Sequence, residues 1–388
     1  MIGNFKPNKA PALHQSARPA IKIKAIVGLL AFAGAAHGAT GLVQLPATAT
    51  HGRVAVVYPS ASAPQAVRRM GHDFRLAQDG APQLGNGRLV VLSHGSGGSP
   101  WVQLDLAEAL VQRGYTVAMP VHQGDNWEYY ADAGPVAWTR RPQEVSQAID
   151  AVAADARFAP LQLDFQRVGV YGMSAGGITA LVLAGVQWSP ARFAAHCDAH
   201  AQDDFALCGG LAMELTGGWL DGFKLWLDRL VVRFKFGDDT RLRSAHDAHI
   251  AAIVAAVPVA APIDPATLAP PRVPLGLVRA GRDLWLVPRF HIDAIRPACE
   301  AARLPDGPAR GQPGCTLLID MPGAAHGSLL SPQPPGLPPR AARVMNDPPG
   351  YDRSEIPRAY AAIVQFFDQQ LRPGTVPVAA TASPGRPE

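Results

Sequence analysis

The chain has 388 residues, 48% of them hydrophobic and 17% charged, with 37 prolines and 38 glycines. That is enough apolar material for a large core, in one domain with insertions or a domain with a small appendage, and it excludes a disordered or fibrous chain. The formal charge is +4, but Lys6, Lys9, Arg18, Lys22 and Lys24 precede residue 40 with no acid beside them, so the body carries +4 − 5 = −1. No Lys/Arg run is left in that body, and a nucleic-acid partner is not expected.

Residues 1–39 read as a signal peptide: a basic flank, the apolar stretch AIVGLLAFAGAA over 25–36, then small residues AAHGA that a signal peptidase can cut. The apolar stretch is about a dozen residues, short of the roughly 20 needed to span a bilayer. Export to the periplasm or the medium is therefore expected rather than an uncleaved anchor.

From 40 to 372, short β-branched runs alternate with Ala/Leu-rich stretches of helical spacing, the pattern of parallel strands covered by helices. Strands are predicted at 54–58, 89–93, 116–120, 167–171, 253–258, 275–280 and 316–320, and helices at 103–113, 142–154, 175–186, 290–304 and 356–371. Residues 191–249 interrupt the alternation as an insertion. Within it Trp219, Leu220, Phe223, Leu227, Leu230 and Phe234 recur at three- and four-residue spacing, which predicts an amphipathic helix. Its apolar face is expected to pack on the core or to act as a lid; contact of this segment with lipid is a further reading. A disordered Pro/Ala/Ser tail is expected over 373–388.

Four cysteines suit an oxidising compartment. Cys197 and Cys208 flank one loop, Cys299 and Cys315 another, so two local disulfides are preferred among the three possible pairings. His196, Cys197 and His200 match no standard zinc spacing, and no metal is expected.

The stretch VGVYGMSAGG, 168–177, ends a predicted strand in small residues around one serine. Gly169, Gly172 and Gly176 are wrongly spaced for a dinucleotide turn, and Ile178 stands where a phosphate loop needs its lysine. What remains is G-x-S-x-G between a strand and a helix, the context in which Ser174 is a nucleophile on a sharp turn. Serine needs a base, and the base an orienting acid; in this fold they follow in the order Ser, Asp or Glu, His. Asp283 follows the strand 275–280, and His326 follows the last strand among small residues. Asp264 is the rival acid. For the oxyanion hole the backbone N–H groups of Ser96, in SHGSGG, and Ala175 are the candidates, with Gly97 as an alternative to Ser96. His94 is expected to be a structural hydrogen-bonding residue, and His122 also follows a strand.

These pieces, with VVYPS at 56–60, LSHGSGG at 92–98, VHQGDN at 121–126, RRPQEVSQAIDAV at 140–152, AGRDLWLVP at 280–288 and MPGAAHGSLL at 321–330, resemble the α/β-hydrolases of the dienelactone-hydrolase-like group. That group includes the bacterial relatives of platelet-activating factor acetylhydrolase, and the resemblance covers 41–371. It implies an α/β-hydrolase fold: a mostly parallel central sheet flanked by helices, with a helical insertion after the nucleophile helix. It also implies hydrolysis of an ester or lactone through an acyl-enzyme, without a cofactor, by Ser174, Asp283 and His326. Dienelactone hydrolases proper carry cysteine where this chain has Ser174, and the platelet-activating-factor enzymes take their acid near 258–260, where this chain has none. Neither particular substrate is therefore implied. The expected function is that of an exported serine hydrolase of small-molecule carboxylic esters; amide, thioester or polyester hydrolysis on the same triad, and a non-catalytic binding member of the fold, are the alternatives.

Overall fold

The computed structural model describes residues 38–210, 213–302 and 313–372. The signal peptide expected over 1–39 therefore lies, save its last two residues, outside the described residues, as does the tail expected over 373–388. Ala39 already belongs to the first strand.

Strands β1 (Ala39–Leu45), β2 (Val54–Ser60), β3 (Gln65–Arg69), β4 (His72–Gln78), β5 (Leu89–Ser93), β6 (Thr116–Pro120), β7 (Val168–Met173), β8 (Ile250–Ala256), β9 (Leu275–Ala280) and β10 (Cys315–Met321) form one sheet. Its order is β10-β9-β8-β7-β5-β6-β2-β1-β4-β3. From β10 to β6 every neighbouring pair is parallel, and β2 runs antiparallel to both β6 and β1. The helices are α1 (Leu104–Gln112), α2 (Pro135–Ala154), α3 (Ala175–Leu183), α4 (Pro190–His200), α5 (Phe205–Gly209), α6 (Asp221–Phe236), α7 (Ile292–Ala301), α8 (Pro339–Met345) and α9 (Ile356–Leu371).

The parallel strands are buried on both faces, which is why they read as continuous apolar runs. Leu89 and Val91 of β5 point into the layer that holds α2, α3 and α7, while Val90 and Leu92 point into the layer that holds α1 and α9. Helix α3 is buried along its whole length. This is the mostly parallel, helix-flanked α/β architecture expected from the alternation.

Three features depart from the expectation. Strands β1, β3 and β4 were not anticipated, because β3 and β4 are polar and turn at Met70-Gly71, without the Asn-Gly or Asp-Gly signature. Both turn residues have positive φ, 49° and 83°. Helix α2 begins at Pro135 rather than at Pro142, which lies inside it. Proline suits a first helical turn, but here the neighbouring turns bury Trp138, Arg141 and Val145, and that packing carries the helix through the second proline. Finally, α6 turns its aromatic stripe outward: Val232 and Asp228 are its buried residues, and Phe236 meets Phe193 of α4 with ring centroids 5.8 Å apart. The expected packing of Trp219, Phe223, Leu230 and Phe234 on the core is not what the fold uses; all four are exposed.

Candidate active site

Strand β7 delivers its chain into a turn at Ser174 with φ 60° and ψ −117°, a conformation that costs a residue with a side chain of the order of 1–3 kcal/mol. Four backbone contacts hold it: Ser174 N–H donates to the Ala256 carbonyl at 3.1 Å, and the Ser174 carbonyl accepts from Gly177 at 2.8 Å, Val259 at 3.1 Å and Ile178 at 3.2 Å. The flanking glycines are required by contact. A Cβ on Gly172 would stand 1.9 Å from the Gly176 carbonyl oxygen, and one on Gly176 would stand 1.9 Å from that of Ser93.

Asp283 follows β9 and is buried. Its Oδ1 accepts from the N–H groups of Trp285 and Leu286, both at 2.8 Å, and its Oδ2 lies 2.7 Å from His326 Nδ1. A carboxylate oxygen only accepts, so in this pair His326 Nδ1 is the donor, which leaves Nε2 on the side of the ring away from Asp283. The acid loop is also stitched to the histidine loop through the backbone, Arg282 N–H donating to the Ala324 carbonyl at 2.8 Å. Asp264 lies elsewhere: it caps a short turn at Ala266 and pairs with Arg192 at 3.0 Å. The structure thus brings Asp283 and His326 into direct contact and places Ser174 on the same C-terminal edge of the parallel strands. Among the described residues no hydrogen bond runs from Ser174 Oγ to His326.

The loop 94–98 after β5 lies against the serine; a Cβ on Gly95 would be 3.2 Å from that of Ser174. Asp125 fixes this loop, accepting from Gly97 N–H at 2.9 Å and from Ser96 Oγ at 3.1 Å. Gly97 N–H is thereby committed, while Ser96 N–H donates to no described residue. Ala175 N–H opens α3 and has no acceptor within its own helix. Beneath the loop the wholly buried Arg141 of α2 pairs with Asp125 at 2.8 Å and donates to the carbonyls of His94 at 2.5 Å and Asp125 at 3.2 Å.

His94 donates from Nδ1 to the Gly95 carbonyl at 2.7 Å, and its Nε2 accepts from His122 N–H at 3.4 Å. The His122 ring bridges Ser93 Oγ, at 2.8 Å, and Glu144, at 2.6 Å. Burial, reinforced by Arg141, holds both imidazoles well below the ordinary histidine range, so both are neutral. They are part of the framework under the loop. Neither Arg141 nor Asp125 stood out in the sequence as a site residue; Asp125 lies in VHQGDN and Arg141 in RRPQEVSQAIDAV, two of the matching pieces, and that was the signal available.

Both expected disulfides, Cys197–Cys208 and Cys299–Cys315, are present. Cys197 is therefore not available as a metal ligand, and His196 is bound to Asp204 at 2.8 Å. Asp204 also lies 3.0 Å from His291 Nε2, which ties the insertion to the segment after the acid loop. The Asp204 carboxyl is buried, which alone would raise its pKa, but its hydrogen bonds to His196 and His291 outweigh that and bring it down to about 2.

No family model matches the chain, and no curated protein matches it. Among solved structures it is similar to a ferulic acid esterase from Streptomyces cinnamoneus, at 16% identity over 86% of each chain, with a TM-score of 0.49. A likeness at that level carries no chemistry from that protein to this chain.

Proposed function

We propose that this chain is an exported serine hydrolase that cleaves carboxylic esters of small molecules through an acyl-enzyme. The observation that carries the reading is the buried Asp283–His326 pair, 2.7 Å apart, on the strand edge that also holds the strained Ser174 turn. In this reading Ser174 Oγ attacks the acyl carbon while His326 Nε2 takes its proton, and Asp283 holds the imidazole in the required tautomer and offsets its developing charge. The N–H groups of Ser96 and Ala175 meet the oxyanion, with the start of α3 adding its positive end. His326 then returns the proton to the leaving alcohol, and water repeats the cycle on the acyl-serine. Catalytic hydrogen bonds are often long or poorly aligned in the free enzyme and tighten around substrate, so the lack of a Ser174–His326 hydrogen bond does not count against this reading.

Two disulfides support an oxidising destination, in keeping with the signal-like residues 1–39. A fluorophosphonate probe should add to the peptide that contains Ser174, and Ser174→Ala should lower p-nitrophenyl acetate turnover by about 10³-fold or more with an unchanged circular dichroism spectrum. Wild-type turnover in Ser174→Ala would overturn the mechanism. A panel of short-chain esters, amides, thioesters and polyester films separates the ester reading from other acyl transfers on the same residues.

A further inference from the structure

We propose that α6 and the turn before it form a docking surface for an anionic lipid bilayer, with the helix lying flat on the headgroups. This does not depend on the reaction proposed above. Phe223, Trp226, Leu230 and Phe234 follow one another at three- and four-residue steps along one side of α6, and Trp219 extends the line into the preceding turn. They are not a buried face read wrongly: Trp219 is 91% exposed, Phe234 89%, and Phe223 and Trp226 57% each. The helix docks on the protein by its opposite side, through Asp228, Val232 and Phe236, so the apolar stripe is left uncovered along a 16-residue helix, about 24 Å long. A contiguous apolar patch of this kind marks an interaction surface.

Charge decides the occupant. At 100° per residue Arg229 and Arg233 lie along one edge of the stripe, while Lys235 is exposed near the end of the helix but on the side of Asp228, and among the described residues none of the three is in an ion pair. The acids nearby are spent or turned away: Asp221 holds Lys224 at 2.8 Å, Asp228 is buried, and Asp239 holds Arg241 and Arg243. Among the described residues Asp238, past the end of the helix, and the exposed Asp198 of α4, which packs on α6, are left. A second copy docking by the same face would set these cations against their own counterparts. An anionic headgroup layer neutralises them while the aromatics enter the acyl boundary, as interfacial helices do. No helix among the described residues is long and apolar enough to cross a membrane, so the contact is with a surface. Since the body has a formal charge of −1, the attraction is local to this patch.

The test is co-sedimentation with vesicles of phosphatidylglycerol and phosphatidylcholine, and of phosphatidylcholine alone. It uses the full chain and a chain that begins at residue 38, which keeps the whole sheet and leaves out the apolar leader stretch. Both chains should bind the anionic vesicles, less so in about 0.5 M salt. The double variant Trp219→Ser/Phe234→Ser should bind about tenfold or more weakly. The triple variant Arg229→Gln/Arg233→Gln/Lys235→Gln should lose the preference for anionic lipid. Circular dichroism and thermal melting check that the variants fold, and sedimentation velocity reads the oligomeric state. The proposal is overturned if the chain from residue 38 does not bind vesicles, if binding survives undiminished in the double variant, or if the stripe is found to close a dimer that takes up no lipid.

Discussion

At the scale of single residues, the serine turn combines a strained backbone with contacts that exclude even a methyl group. Gly176→Ala would drive Cβ to 1.9 Å from the Ser93 carbonyl oxygen, where only backbone movement can relieve it. We expect several kcal/mol of destabilisation, read as a lower urea midpoint or loss of soluble protein. Asp125 and Arg141 make a second test, because both side chains are fully buried and each is the other's charge partner. Asp125→Ala strands the guanidinium and should cost about 3–5 kcal/mol in urea unfolding. As a positioning residue for the loop 94–98, Asp125 should also lower kcat more than it raises KM when replaced by Asn, since in the proposed mechanism the contacts it organises belong to the transition state. The serine, the acid and the histidine were legible because each is a chemical type that follows a strand. Arg141 was not, because nothing in its local sequence says that an arginine in a helix will meet only carbonyls and one carboxylate.

At the scale of elements, α6 shows where periodicity stops being informative. Its spacing of apolar residues identified the helix, but the same stripe is compatible with burial and with exposure, and neighbours decide between them. Asp228 on its inner side is a consequence. Burial pushes its carboxyl up from 3.8 to about 6, Arg229 only partly countering, and its Oδ2 has no partner. A raised folded-state pKa favours the protonated form, so this group's stabilising contribution is full below 3.8 and lost as pH rises through about 6. Asp228→Asn, always neutral, should match wild type near pH 4 and melt higher above pH 6, by on the order of 1 kcal/mol in stability. Equal melting temperatures across that range would show that the ionised carboxylate is solvated. The unforeseen start of α2 at Pro135 and the β3–β4 hairpin have the same lesson, since tertiary packing overrode the proline signal in one and a two-residue turn formed without the usual residues in the other.

At the scale of the whole molecule, the two disulfides bear on the destination proposed for the protein. Cys197–Cys208 spans 11 positions inside the insertion, and Cys299–Cys315 spans 16, joining α7 to the last strand. Each should contribute about 2–4 kcal/mol by restricting the unfolded chain. Protein recovered from the periplasm or medium of an expressing bacterium should have all four thiols blocked, and reduction should lower its melting temperature markedly. Four reactive thiols in protein so recovered would remove this part of the account.

The sequence by itself determined the alternating α/β architecture, the serine turn, the order of the candidate acid and base, and the cysteine pairing. These are properties of local periodicity, of glycine around a sharp turn and of chain proximity. Only the tertiary structure decided that Asp283 rather than Asp264 meets His326, that Gly97 N–H is committed to Asp125, that Arg141 lies beneath the loop, and that α6 faces outward. Each of these depends on which groups from distant parts of the chain arrive at one place, and a side chain's charge state, partner and exposure are set there, by the desolvation and contacts it finds.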